Sequence, residues 1–253
     1  MVRRGAGVQV AKQTSMTDPC RFVVWQHHPD MLRRPATGSA EARATQALTW
    51  NIFRTAELLP PAFWLRRLNA SLGIALPRPA PVTARVQIWT RLPVPPGQGL
   101  SLREAVDVDV VIETDHDVWA LLVCNDDIGP PHTESGIDRL AMMAYAASWY
   151  AGRRQCYVGM IVTAPERAPL GVSLIRKYQL SSQALQLRWP HRHHDGGNIS
   201  GIGFTTWERL GTILGDASHS ASLGAVERTI ARETLAWCDG LAYASVMARA
   251  PVS

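Results

Sequence analysis

Between residues 105 and 126 apolar and acidic side chains alternate. Val106, Val108, Val110 and Ile112 are interleaved with Asp107, Asp109, Val111 and Glu113. A period of two marks a strand. Asp115-His116 supplies a two-residue turn without the favoured glycine, and the return strand runs from Asp117 to about Asn125. With Thr114 paired to Asp117, Asp107 faces Cys124 and Asp109 faces Leu122. Cross-strand partners share one side of a sheet, so Asp107, Asp109, Cys124 and Asp126 are expected on one face. The other face then carries Val106, Val108, Val110, Ile112, Trp119, Leu121 and Val123 and is apolar throughout. A slip of one residue would destroy both faces.

Upstream the spacing is helical. Ser39 caps a segment that Pro60-Pro61 stops, with Ala47, Trp50, Phe53 or Arg54, Glu57 and Leu58 near one face. A second helix over 62–72 ends at Gly73, and a proline-rich link leads into a strand over 83–92. Past Gly129-Pro130-Pro131 the pattern predicts a helix over 136–151, with Ile137, Leu140, Met143 or Ala144 and Ala147 on one side. A strand over 155–163, a helix around 170–185 and a loop containing His191, His193, His194 and Asp195 follow. A short strand then turns into a helix with Thr205 or Thr206 as N-cap, and a last helix covers about 221–247. Residues 1–38 read as a loosely ordered lead-in, with a short strand at 21–26, and there is no internal repeat.

This order predicts one α/β domain over residues 39–253, a central mixed β-sheet flanked by helices, with its core at about 45–215 and extra helices at both ends. The strand-helix-strand from 118 to 163 is expected to be a right-handed parallel crossover.

Composition narrows the class without naming a function. The 253 residues are 46% hydrophobic and 19% charged, enough for a substantial core. A net charge of +5 permits an anionic partner and does not require one. Every basic residue except Lys12 and Lys177 is an arginine, a bias that a GC-rich genome explains. Cys20, Cys124, Cys156 and Cys238 form no CxxC pair, which argues against a structural zinc site or a disulfide framework and for a reducing, cytoplasmic compartment. The first residues lack the apolar run of a signal peptide, and no segment reaches the roughly 20 apolar residues that cross a bilayer. No membrane partner is therefore expected.

The helix carrying Glu57, the hairpin V-D-V-D-V-V-I-E-T, the return strand V-W-A-L-L-V-C-N-D, the helix G-I-D-R-L-A-M-M-A-Y-A-A and the strand Y-V-G-M-I-V-T occur in one order. Together they resemble the PD-(D/E)XK nuclease superfamily, the restriction-endonuclease-like fold. The later T-T-W-E-R-L looks like a segment near the end of some members, and the resemblance covers about residues 45 to 215. It implies an Asp on the first hairpin strand, and an acid, a spacer and a lysine on its neighbour. In that chemistry carboxylates hold magnesium through oxygen, and the metal activates water and neutralises the scissile phosphate. The family Asp falls on Asp109, with Asp107 as the alternative register, and the acid-spacer-lysine positions fall on Cys124, Asn125 and Asp126. Here the chain departs from the family. Cys124 is a soft ligand poorly suited to magnesium, and Asp126 reverses the lysine's charge.

Two repairs are open. Asp126 or Asp127 serves as a migrated metal ligand, and Arg139 or Arg103 supplies the positive charge, although an arginine stays protonated and cannot act as a base. The candidate catalytic set is thus Asp109, Asp126, Glu57 and Arg139, with Asp107, Asp109 and Asp126 as candidate Mg2+ ligands. Arg66, Arg67, Arg153 and Arg154 are candidate phosphate contacts. Each has a plainer reading. Asp109 suits a solvated sheet face, Glu113 an exposed hairpin tip, Cys124 a small buried hydrophobe, and Glu57 a partner for arginine. The histidine cluster suits a loop, the arginine pairs suit solvent, and Trp50, Trp64, Trp119 and Trp207 suit the core.

The resemblance implies a nucleic-acid-associated module with a degenerate catalytic centre, DNA more than RNA, in a prokaryotic defence or mobile-element setting and with a possible protein partner. The alternatives are an active Mg-dependent endonuclease with a rearranged centre, and an unrelated α/β protein-binding domain. Geometry separates the first two. An active centre needs two carboxylates converging on one ion with a cation nearby, whereas a degenerate one shows Asp109 alone and Cys124 buried.

Overall fold

The computed structural model describes residues 40–75, 81–95, 105–124, 138–189 and 196–239. Two helices open this part of the chain, α1 (Ala40–Glu57) and α2 (Pro61–Leu72). Proline at the first position of α2 starts it, and Gly73, at φ 73°, closes it in the left-handed conformation that glycine adopts without a steric cost. The strands β1 (Arg85–Pro93), β2 (Ala105–Glu113) and β3 (Asp117–Cys124) follow, then α3 (Arg139–Ala151) and β4 (Gln155–Val162). A 3-10 turn (Pro165–Arg167), α4 (Pro169–Leu180), α5 (Ser182–Gln186), β5 (Ile199–Thr206), α6 (Trp207–His219) and α7 (Ala225–Trp237) complete it.

Among the described residues the strands form one mixed sheet in the order β1-β2-β3-β4-β5. β1, β2 and β3 are an antiparallel meander, and β4 and β5 join in parallel. Helices cover both faces, so the α/β architecture expected from the pattern is present. α1, α2, α6 and α7 pack on one face around Trp50, Phe53, Trp64, Trp119, Tyr157 and Trp207. α3 and α4 pack on the other around Leu140, Met143, Ala147, Val158, Met160 and Tyr178. β3 and β4 are buried on both sides, which is why they read as apolar runs rather than alternations.

The four tryptophans placed in the core by pattern are all buried. Trp119 is fully enclosed, and its Nε1 donates to Asn69 Oδ1 at 2.7 Å. Burial of such a side chain contributes about 2–3 kcal/mol, and the hydrogen bond spares the indole N–H an unmet desolvation cost. α2 lies so close to β5 that a Cβ on Gly203 would collide with the Leu72 carbonyl oxygen.

The hairpin pairs as the pattern predicts. Val110 faces Leu121, Ile112 faces Trp119 and Glu113 faces Val118. β3 and β4 run parallel across α3, with Leu140, Met143, Ala144 and Ala147 buried as expected. Thr206 is the N-cap of α6, its side chain accepting from Arg209 N.

Other expectations need correction. The helix around 170–185 is two helices, because Ser181 is extended (φ −151°, ψ 103°) and its side chain caps α5 by accepting from Ala184 N. Leu58 is exposed rather than on the packed face of α1. Val106 and Val108 do not share a face with Val110 and Ile112. Val108 packs with the α3 side and Val106 lies against it, while Val110 and Ile112 pack with the α1 side. The expected common face of Asp107, Asp109 and Cys124 therefore does not exist, for a reason given below. Ser39, residues 21–26, Cys20, Arg103, Asn125, Asp126, Asp127, His191, His193, His194, Asp195 and residues 240–247 lie outside the described residues.

Candidate functional site: a hollow at the broken rung of the β1–β2 ribbon

The β1–β2 ladder pairs Ile88 with Val110 and Thr90 with Val108, but Trp89 and Asp109 between them make no bridge. Trp89 sits at φ 52°, the one non-glycine residue with positive φ among those described. Sidedness inverts at this rung on both strands. Ile88 and Val110 face the α1 core, while Leu92 and Val108 face the α3 core. Regular pleating would put each pair on one side, so a single irregular rung accounts for the lost common face.

A left-handed backbone costs a large non-glycine residue roughly 1–3 kcal/mol and persists only when its surroundings over-determine it. Here the Trp89 indole stacks on Trp50 with centroids 5.9 Å apart and planes 16° from parallel. The Arg54 guanidinium lies 4.8 Å from the Trp50 ring centroid. Arg54 is itself held by Glu57 Oε2 at 2.7 Å and by the Val86 carbonyl at 3.2 Å. Glu57 Oε1 accepts from Val86 N at 3.1 Å. Glu57 thus pins the end of α1 to β1 and pairs with arginine, the plainer of its two readings.

Beside Trp89 is a half-open hollow of about 210 Å³. α1 lines it with Ala42, Thr45, Gln46 and Thr49, β1 with Trp89, β2 with Asp109, β3 with Val123 and α3 with Arg139. Thr45 and Thr49 are one helical turn apart, and Thr49 Oγ1 donates to the Thr45 carbonyl at 2.8 Å. Asp109 is 3% exposed, and its Oδ2 accepts from Val123 N at 2.8 Å. Arg139 Nη2 lies 3.6 Å from the same oxygen, an ion pair longer than a hydrogen bond.

Arg139 reaches Asp109 because α3 begins beside it. Asp138 is the N-cap of α3, its Oδ1 accepting from Ala141 N at 2.7 Å. Its Oδ2 accepts from the Tyr178 hydroxyl of α4. Burial pushes the Tyr178 pKa well up, and the Asp138 carboxylate adds to the rise.

The other predicted site residues lie elsewhere. Asp107 is exposed and pairs with Arg91 at 3.3 Å. Cys124 is buried in the α3 core, the small-hydrophobe role. Arg67 lies 3.7 Å over the Phe63 ring and pairs with Asp216 at 3.2 Å. Arg66 and Arg153 are exposed. Arg66 and Arg67 belong to α2 and Arg153 and Arg154 to the α3–β4 turn, so the two pairs do not belong to one helix layer. Arg154 donates to Glu113 Oε2 at 2.9 Å. Glu113 is therefore a partly buried, paired carboxylate, not an exposed tip. Burial alone would raise its pKa, but hydrogen bonds from Arg154, Tyr150 and Gln87 outweigh that and hold it below the usual range.

Among the described residues Asp107, Asp109 and Cys124 do not converge on one magnesium ion, and Asp126 lies outside them. Among the described residues no group of three or more His, Cys, Asp or Glu side chains could hold a metal ion. Asp109 has a guanidinium beside it, Asp107 is paired with Arg91, and Cys124 is soft and buried on the α3 side.

Trp89, Thr45, Gln46 and Thr49 were not among the predicted site residues. One signal for Trp89 stands in the sequence. Val86, Ile88 and Leu92 occupy the apolar parity of β1, while Trp89 shares the polar parity of Gln87 and Arg91. No family model matches the chain, and neither a curated protein nor a solved structure matches it.

Proposed function

We propose that this chain is a PD-(D/E)XK-like module, descended from a nuclease, that associates with nucleic acid and whose cleavage centre is degenerate. The observation that carries this reading is the guanidinium of Arg139 lying 3.6 Å from the buried carboxylate of Asp109. At that position a nuclease needs a divalent cation. A guanidinium cannot ionise a water or change its ligands, so it balances the carboxylate's charge without supplying the metal's chemistry. The burial of Cys124 and the order of helix, three-stranded meander, helix and parallel strand support the same reading. The basic net charge of +5 suits a polyanionic partner.

The test is cleavage of plasmid, single-stranded DNA and RNA with Mg2+ or Mn2+, run beside Asp109→Ala and followed by binding at several salt concentrations. The expected result is no cutting by either protein, with affinity that falls steeply as salt rises. Metal-dependent cutting abolished by Asp109→Ala would replace this reading with an active endonuclease of rearranged centre. Neither cutting nor salt-dependent binding would leave an α/β protein-binding domain.

A further inference from the structure

We propose that the hollow beside Trp89 receives one unpaired base of a nucleic acid strand, stacked on the indole, with the adjoining phosphate on Arg139. This deepens the reading above and rests on it. Three features converge on that ligand. First, Trp89 is fixed in a left-handed conformation on a sheet edge, with Trp50 stacked 5.9 Å behind it and Arg54 beyond. That backing makes a rigid platform, and a base presents a π-face whatever its identity. Second, the wall sets an amide in Gln46, which both donates and accepts, beside a cation in Arg139. Mixed donors and acceptors suit the edge of a base. The 40% exposed Arg139 holds Asp109 at a distance longer than a hydrogen bond, and a guanidinium carries five donors that a phosphate can engage. Third, the volume of about 210 Å³ is below the roughly 300–1,000 Å³ of small-molecule and cofactor pockets, so it fits one ring system and not a dinucleotide. A base inside a duplex cannot enter such a hollow, which points to single strands, bulges or extruded bases.

The experiment compares binding of a short single-stranded DNA with binding of an abasic strand of the same length and charge, at several salt concentrations. The expected preference for the base-bearing strand is about 10-fold, the scale of one aromatic–base stack. Trp89→Ala should abolish that preference, and Trp89→Phe should restore most of it. Arg139→Ala should weaken both strands and lower the salt slope by about one phosphate contact. Equal binding of the two strands by the wild-type protein would overturn the inference while leaving salt-dependent association intact. A preference unchanged in Trp89→Ala would overturn it as well. Binding of neither strand would remove the proposed function together with it.

Discussion

Strand β2 carries three carboxylates paired with arginines, and the two that are withdrawn from solvent, Glu113 and Asp109, differ in kind. At Glu113 the ladder is regular, the N···O distance is 2.9 Å, and the side chains are 16% and 27% exposed. Gln87 and Tyr150 also donate to Glu113. At Asp109 the ladder is broken, the distance is 3.6 Å and the arginine is 40% exposed beside a hollow. The same two charged groups, a carboxylate on β2 and a guanidinium from outside it, make a tight clamp in one place and a longer pair with a half-exposed arginine in the other. What separates them is backbone regularity and the space left over, not side-chain chemistry. A well-satisfied pair has little left to offer a ligand, whereas a loose pair at an irregular rung keeps donors in reserve.

The comparison breaks most easily at its tight end. Glu113→Ala should lower the unfolding free energy by about 2 kcal/mol, because it strips a partly buried Arg154 of its partner and removes several hydrogen bonds. Denaturant melts would measure it, and a loss below about half of that would show the clamp to be decorative.

The second prediction uses pH. The Glu113 pKa is lower folded than its ordinary 4.5. Its stabilising contribution is therefore full above that ordinary value and is lost as pH falls through the lower, folded pKa. The stability gap between wild type and Glu113→Gln should stay constant near neutrality and close in acid. A gap that widens on acidification would reverse the assignment.

At the loose end the effect should be smaller. Arg139→Ala should lower stability by about 1–2 kcal/mol, because it takes the counter-charge of Arg139 from the buried Asp109 carboxylate, while Val123 N still donates to it and Arg139 was itself partly solvated. Equal losses for Arg139→Ala and Arg154→Ala would erase the distinction.

The smallest effect concerns thiols. Burial pushes Cys156 up to about 12, so at pH 8 the folded protein should leave it unlabelled by a thiol reagent. In variants retaining one cysteine, Cys124, 5% exposed at the end of β3, should react faster than the fully buried Cys156. The reverse order would place the looser end at Glu113.

Much of the regular part was legible in the chain. The register of Val110 with Leu121 and of Ile112 with Trp119 follows from alternation and a two-residue turn, both local. The parallel crossover and the buried tryptophans follow from run length and spacing. The site was legible only through Asp109 and Arg139. The inversion of sidedness at the Trp89–Asp109 rung is not encoded in the periodicity of β2, which puts Asp107 and Cys124 on one face where the fold separates them. Glu113 and Arg154 are 41 residues apart, and nothing local to either announces the pairing. The misplaced parity of Trp89 was the one written trace of the hollow.

Because β2 changes sides at Asp109, a single strand gives Val108 to one hydrophobic core and Val110 to the other. That rung therefore decides which core each apolar side chain of β2 joins, and a shift in its geometry would be felt in both closely packed layers at once.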